Sequence, residues 1–169
     1  MKTSFLKTIP GMALATMLGL TVAQVLVFAQ DTQDTRAENS AASKIEGVWD
    51  VRVTIRRCDT SDPIRSVRAM NMFIDGGTLT ETSGQIPTFQ RGPGLGTWDH
   101  LGGKRNSAIF RFFLFNADGS LAGTRKITRN IELSKDAKEF TAVAVIETFD
   151  ANGHLIETGC ATEIAARLE

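Results

Sequence analysis

From residue 49 onward, apolar and polar side chains alternate with a period of two, the spacing of a strand that buries one face. Trp49, Val51, Val53 and Ile55 interleave with Asp50, Arg52, Thr54 and Arg56, giving a first strand that runs toward Cys58. Asp62-Pro63 marks a turn, and Ser66 to Asp75 forms a second run. Asp75-Gly76-Gly77 is a tight hairpin signal, followed by a threonine-rich third strand, Thr78 to Ser83. Gly84 to Gly94 contains Pro87, Pro93 and three glycines, which predicts a long, flexible rim loop. Leu95 to His100 is a short fourth strand. Asn106 to Phe115, with four phenylalanines, is the fifth, and Leu121 to Leu133 is the sixth. Phe140 to Phe149 and His154 to Ile164 complete a set of eight.

The joins are short: Gly102-Gly103, Asn116 to Gly119, Ser134 to Lys138 and Asp150 to Gly153. Short turns between successive strands require antiparallel neighbours. Eight such strands close into an up-and-down barrel or stack as a sandwich, and closure removes exposed edges. The two cysteines favour the barrel. Cys58 ends the first strand and Cys160 lies within the last, and in a closed meander those strands are neighbours. A Cys58–Cys160 disulfide would staple that seam across a loop of about 100 residues, worth roughly 4–5 kcal/mol by chain entropy. The alternative is a pair of buried free thiols.

The first 29 residues read as a secretory signal. Lys2 and Lys7 precede an apolar run from Met12 to Ala23, and small residues offer cleavage after Ala23 or Ala29. Export to a periplasmic or extracellular space follows, with no stable membrane span after cleavage, and it suits a disulfide. Residues 30–43 are polar and lack aromatics, so a disordered leader is expected there. Residues 44–169 then form one β-barrel domain of ordinary size. The whole chain has 19 basic and 19 acidic side chains. Loss of Lys2 and Lys7 would leave a formal charge of −2, which is no basis for nucleic-acid binding.

Gly47-Val48-Trp49 at the start of the first strand resembles the opening motif of the lipocalins and other calycins. The resemblance implies an eight-stranded barrel whose tryptophan closes one end, with a late arginine, here Arg167, packed over it. It also implies a small hydrophobic or amphipathic ligand in the lumen. The family's Thr-Asp-Tyr turn is absent, since the chain has no tyrosine. Gly96-Thr97-Trp98 and the hairpin around Ala117 to Thr124 are faintly similar to avidin-type biotin binders. Two tryptophans leave too few aromatic walls for that ligand.

Candidate chemistry is sparse. His100 and His154, the two histidines, belong to no ligand cluster of metal-site spacing, so neither metal nor cofactor is expected. There is no Gly-x-Ser-x-Gly elbow, and Gly92 to Gly96 lacks the Lys-Ser/Thr ending of a phosphate loop. Charges do fall in phase with apolar residues: Arg125 and Arg129 with Leu121, Ile127, Ile131 and Leu133; Arg111 with Ile109, Phe113 and Phe115; Glu147 with Val143, Val145 and Phe149. If those faces line the lumen, Arg111, Arg125, Arg129 and Glu147, with Phe113 and Trp49, are the ligand-binding candidates. If the faces point outward, the arginines meet water and their stems lie on apolar surface. Apolar residues on both faces of the phenylalanine strand also suggest a homodimer. Three functions remain open: an exported carrier of a small hydrophobic molecule, a barrel-type cyclase or isomerase, and a packed structural or interaction protein of the cell envelope.

Overall fold

The structure is a computed structural model and describes residues 45–84 and 90–168. The signal and leader expected within residues 1–43, and the middle of the loop after the third strand, lie outside those residues. The described residues form one closed antiparallel barrel in sequence order. Its strands are β1 (Gly47–Arg56), β2 (Pro63–Ile74), β3 (Thr78–Ser83), β4 (Gly94–His100), β5 (Arg105–Phe115), β6 (Leu121–Leu133), β7 (Glu139–Asp150) and β8 (Leu155–Arg167). β1 closes the barrel by pairing with β8, from Trp49 opposite Arg167 to Arg56 opposite Cys160. Just beyond that seam Cys58 and Cys160 are disulfide-bonded.

Two boundaries differ from the sequence reading by three residues. β2 begins at Pro63, where the pairing with β1 shifts register between Ile55 and Arg56; a proline without an N–H fits the first position of a strand at such an irregularity. β8 runs on to Arg167 because Trp49, Asp50 and Val51 pair with its last residues. Leu121, expected on the inner face of β6, is exposed. The register shifts between Leu114 and Phe115, opposite Leu121, and the bulge turns it out.

One end of the barrel is solid. Trp49, Phe73, Leu79, Trp98, Leu133 and Phe140 are buried there, with Trp49 and Phe140 centroids 4.9 Å apart and Phe73 edge-on to both Phe140 and Trp98. Each such side chain contributes about 1.5–3 kcal/mol by leaving water. The indole N–H groups are not stranded: Trp49 Nε1 donates to the Ile45 carbonyl at 2.8 Å and Trp98 Nε1 to the Ile74 carbonyl at 2.9 Å.

Arg167 seals this end from outside. Its guanidinium lies 4.3 Å from the Trp49 ring centroid, donates from Nε to the Ala137 carbonyl at 3.0 Å and from Nη1 to the Glu46 carbonyl. The Gly-x-Trp motif thereby acquires a physical reason. Gly47 has φ +116°, and a Cβ there would stand 2.7 Å from Arg167 Nη1. The late arginine over Trp49 is the arrangement that the lipocalin resemblance implied.

Gly96 serves a different purpose. A Cβ on it would fall 1.9 Å from the Ile109 carbonyl oxygen, so only glycine lets β4 lie this close against β5. Gly96→Ala should cost at least the upper end of the usual 1–3 kcal/mol for overpacking. Gly159→Ala should be nearly silent, since its new Cβ would meet only Ile146, at 3.6 Å and beyond. Urea unfolding midpoints of the two variants check the contrast. The same assay tests the staple: reducing Cys58–Cys160, 102 residues apart in sequence, should lower stability by about 4–5 kcal/mol.

Candidate functional site

Alternation decides which side chains face the lumen, and the inner set changes character along the barrel axis. Above the aromatic plug lies a polar belt. Arg129 on β6 reaches past Ala144 of β7 to Glu163 on β8, with Nη1 to Oε2 at 3.0 Å. Both side chains are 3% exposed or less. Small residues make the reach possible, because Ala142, Ala144, Ala161 and Ala165 are the inward residues of β7 and β8 on this side. The Arg129 guanidinium also stacks 4.9 Å from the Phe110 ring and 5.6 Å from that of Phe73.

A second buried ion pair joins Glu81 of β3 to Arg91, which comes from the loop before β4. An isolated bridge between Arg91 and Leu114 fixes the backbone there, and the guanidinium lies 3.7 Å over the Phe112 ring. Burial pushes the Glu81 carboxyl above the usual carboxylate range. Arg91 pulls it back by charge and hydrogen bond, Arg129 also lowers it, and Glu163 raises it. The four charges therefore act on one another as a cluster.

Over this belt the described residues leave space unfilled. A cavity of about 80 Å³ lies there, walled by Val53, Ile55, Val67, Phe112, Ile127 and Ile146, with Glu81, Arg91 and Glu163 at its polar side and Arg65, Ser83 and Arg125 also lining it. The Ser83 hydroxyl has no hydrogen-bond partner among the described residues. Arg125 donates from Nε to Thr148 Oγ1 at 3.0 Å and stands 3.6 Å from the mostly exposed carboxylate of Glu157. Burial lowers its basicity; Glu157 acts against that, while the neighbouring cations Arg65 and Arg91 add to it.

The sequence-derived candidates divide accordingly. Arg125 lines the cavity and Arg129 lies in the belt beneath it. Trp49 is part of the plug and does not line the cavity. Arg111 and Phe113 point outward, Phe113 being 56% exposed and Arg111 lying 5.4 Å from Phe149 on the outer wall. Glu147 is outside too, paired across strands with Lys126 at 2.7 Å. Arg111, Arg125, Arg129 and Glu147 do not converge in one pocket. The reason is that β5 carries apolar residues on both faces, and the inward one is the face without a charge: Asn106, Ala108, Phe110, Phe112. Exposed Ile109, Phe113, Val143 and Val145 are left on the outer wall.

Glu81, Arg91 and Glu163 were not among the expected residues. Glu163 had a readable signal, since it alternates with Ala161 and Ala165; Arg91 sits in a loop, where periodicity says nothing. His100 Nδ1 is 3.1 Å from Asn106 Oδ1, and His154 Nδ1 is 3.1 Å from Asp150 Oδ2 in a turn. Among the described residues no three His, Cys, Asp or Glu side chains come together as a metal site would need. No protein-family model matches the chain, and no curated protein resembles it significantly.

The belt makes two predictions. Glu163→Ala strands the Arg129 charge and should cost about 3–5 kcal/mol, whereas the double change Arg129→Met, Glu163→Leu should recover most of that loss; denaturant titrations of the three proteins decide it. For Glu81 the sign follows from a carboxyl whose folded pKa is raised. The native form binds the proton more tightly, so its stabilising contribution is complete below the ordinary carboxylate range and is lost as pH rises through the raised value. Relative to Glu81→Gln, the native protein should therefore lose stability as pH rises from about 4.5 toward neutrality, read by thermal unfolding at a series of pH values.

Proposed function

We propose that this chain is an exported, lipocalin-like binding protein that holds a small amphipathic molecule in the open half of its barrel. The observation that carries this reading is the cavity beside the Glu81–Arg91 pair. Its wall is mostly apolar side chains from several strands, with Arg65, Glu81, Ser83, Arg91, Arg125 and Glu163 among them, the mixed composition of a small-molecule site. An eight-stranded closed barrel encloses room for side chains or one small ligand, and here the plug and belt fill only part of it. The disulfide supports export, because such bonds persist in oxidising compartments.

A second reading, a barrel-type isomerase or cyclase, has one observation in its favour. The Glu81 carboxyl lines the same cavity with its pKa raised, as a general acid or base would require. Glu147, on the outer wall, has no part in it. The carrier reading is preferred because Glu81 is tied up by Arg91, which leaves its carboxylate structural.

Native mass spectrometry of the protein isolated gently from its export compartment tests the proposal. A small co-purified amphipath, lost on mild organic extraction and rebound on return, is the expected outcome. A bare polypeptide mass that takes up no added amphipath would count against it. Conversion of the extracted molecule by the native protein, abolished in Glu81→Gln, would favour the enzyme.

A further inference from the structure

The charges that border the cavity do not all cancel. Arg129 is matched by Glu163 and Arg91 by Glu81, each pair buried. Two further cations border the cavity: Arg125 of β6, partly buried, and Arg65 of β2, an exposed residue at its rim. Arg65 makes no ion pair among the described residues. Arg125 has only Glu157, 3.6 Å away and with its side chain 66% exposed, where water screens the pair. Arg65, Arg91 and Arg125 are close enough that the first two disfavour the charge on the third. With Arg91 already matched by Glu81, Arg65 and Arg125 leave positive charge at the cavity lining, and an anion placed between them would neutralise it.

We infer that the ligand is a monoanionic amphipath, a carboxylate or sulfonate, whose headgroup sits at the cavity lining between Arg65 and Arg125 while its apolar part enters the cavity. This rests on the binding reading above and specifies its chemistry. Guanidinium groups suit such a headgroup because their fork of N–H donors matches two carboxylate or sulfonate oxygens. The apolar part is small. A cavity of about 80 Å³ takes roughly half a dozen water-sized atoms, which corresponds to one ring or a short chain lying against Phe112, Ile127 and Ile146. A dianion is not what the site matches, since the buried carboxylates of Glu81 and Glu163 lie on the same cavity and oppose a second negative charge.

The test uses the intact, disulfide-bonded protein and three simple probes, 1-hexanesulfonate, 1-hexanol and methanesulfonate, followed by amide chemical shifts in two-dimensional NMR. A sulfonate stays ionised throughout the useful pH range, so the probe's own titration does not intrude. Hexanesulfonate should shift amides of Val53, Val67 and Ile127 and bind on the order of tenfold more tightly than hexanol. Methanesulfonate should bind far more weakly than hexanesulfonate. Arg65→Gln and Arg125→Gln should each remove several-fold of the preference for hexanesulfonate while leaving hexanol unchanged. Arg65 is the cleaner variant, as it makes no ion pair whose loss could disturb the fold. Equal affinity for hexanol and hexanesulfonate, or a preference that survives both substitutions, would overturn the inference and leave the carrier reading standing. Methanesulfonate binding as tightly as hexanesulfonate would overturn it differently, by showing an anion site with no use for the tail. If neither six-carbon probe shifts the cavity amides, the binding reading itself has failed.

Discussion

Everything inside this barrel is arranged around a guanidinium and a carboxylate that have been taken out of water. Burying Arg129 and Glu163 carries a desolvation cost of several kcal/mol per ion, which only close pairing and good surroundings offset. The surroundings here are specific. Alanines on β7 and β8 give the long side chain room to cross, and the rings of Phe73 and Phe110 cover the guanidinium where no carboxylate faces it. Take away the alanines and Arg129 could not reach Glu163. Take away the rings and its charge would have only one partner.

The belt divides the barrel into two halves that obey different rules. Below it, packing is limited by volume: indoles, phenyl rings and leucine fill the space, and Arg167 lies over Trp49 as a lid whose own hydrogen bonds go to backbone carbonyls. Above it, volume is left over. Side chains there are aliphatic or of moderate size, and the second ion pair, Glu81 with Arg91, keeps a charged wall beside the gap instead of filling it. A barrel selected only for stability would gain by replacing this pair and the gap with a larger hydrophobic residue. That it does not is the physical argument for a use of the open half.

How far the sequence disclosed this depends on the kind of information each residue carries. Strand number, order and antiparallel pairing were legible, because turn residues and a period of two are local signals. The closing seam was legible through Cys58 and Cys160, the one long-range constraint written in the chain. Trp49 and Arg167 were legible only through a resemblance, although Gly47 turns out to need its missing Cβ for a reason that chemistry alone explains. The faces of β5 and β7 were not legible. Phe113 and Phe112 are equally apolar, and only the assembled barrel shows that Phe112 goes in and Phe113 out. Period two says that Arg111 and Glu147 share a face with apolar neighbours, and says nothing about which side of the wall that face is on. Arg91 was invisible for a third reason: it acts from a loop, held by a single bridge to Leu114.

The distribution of charge along the axis also bears on how a molecule would enter. In the proposed binding mode, cations on the cavity lining would draw an anionic headgroup toward Arg65 and Arg125, and the paired charges beneath would offer it nothing further. The apolar part meets the opposite gradient, since every step inward exchanges water for Val53, Ile127 or Ile146. An amphipath entering tail first satisfies both at once, and one entering head first satisfies neither. Orientation would then be fixed by the barrel before any specific hydrogen bond forms. Discrimination among ligands would rest on the length of the apolar part, which the Glu81–Arg91 and Arg129–Glu163 pairs limit from one side as firmly as a wall of side chains could. In the proposed binding mode the buried ion pairs would thus set the depth of the site, with the aromatic plug on their other side.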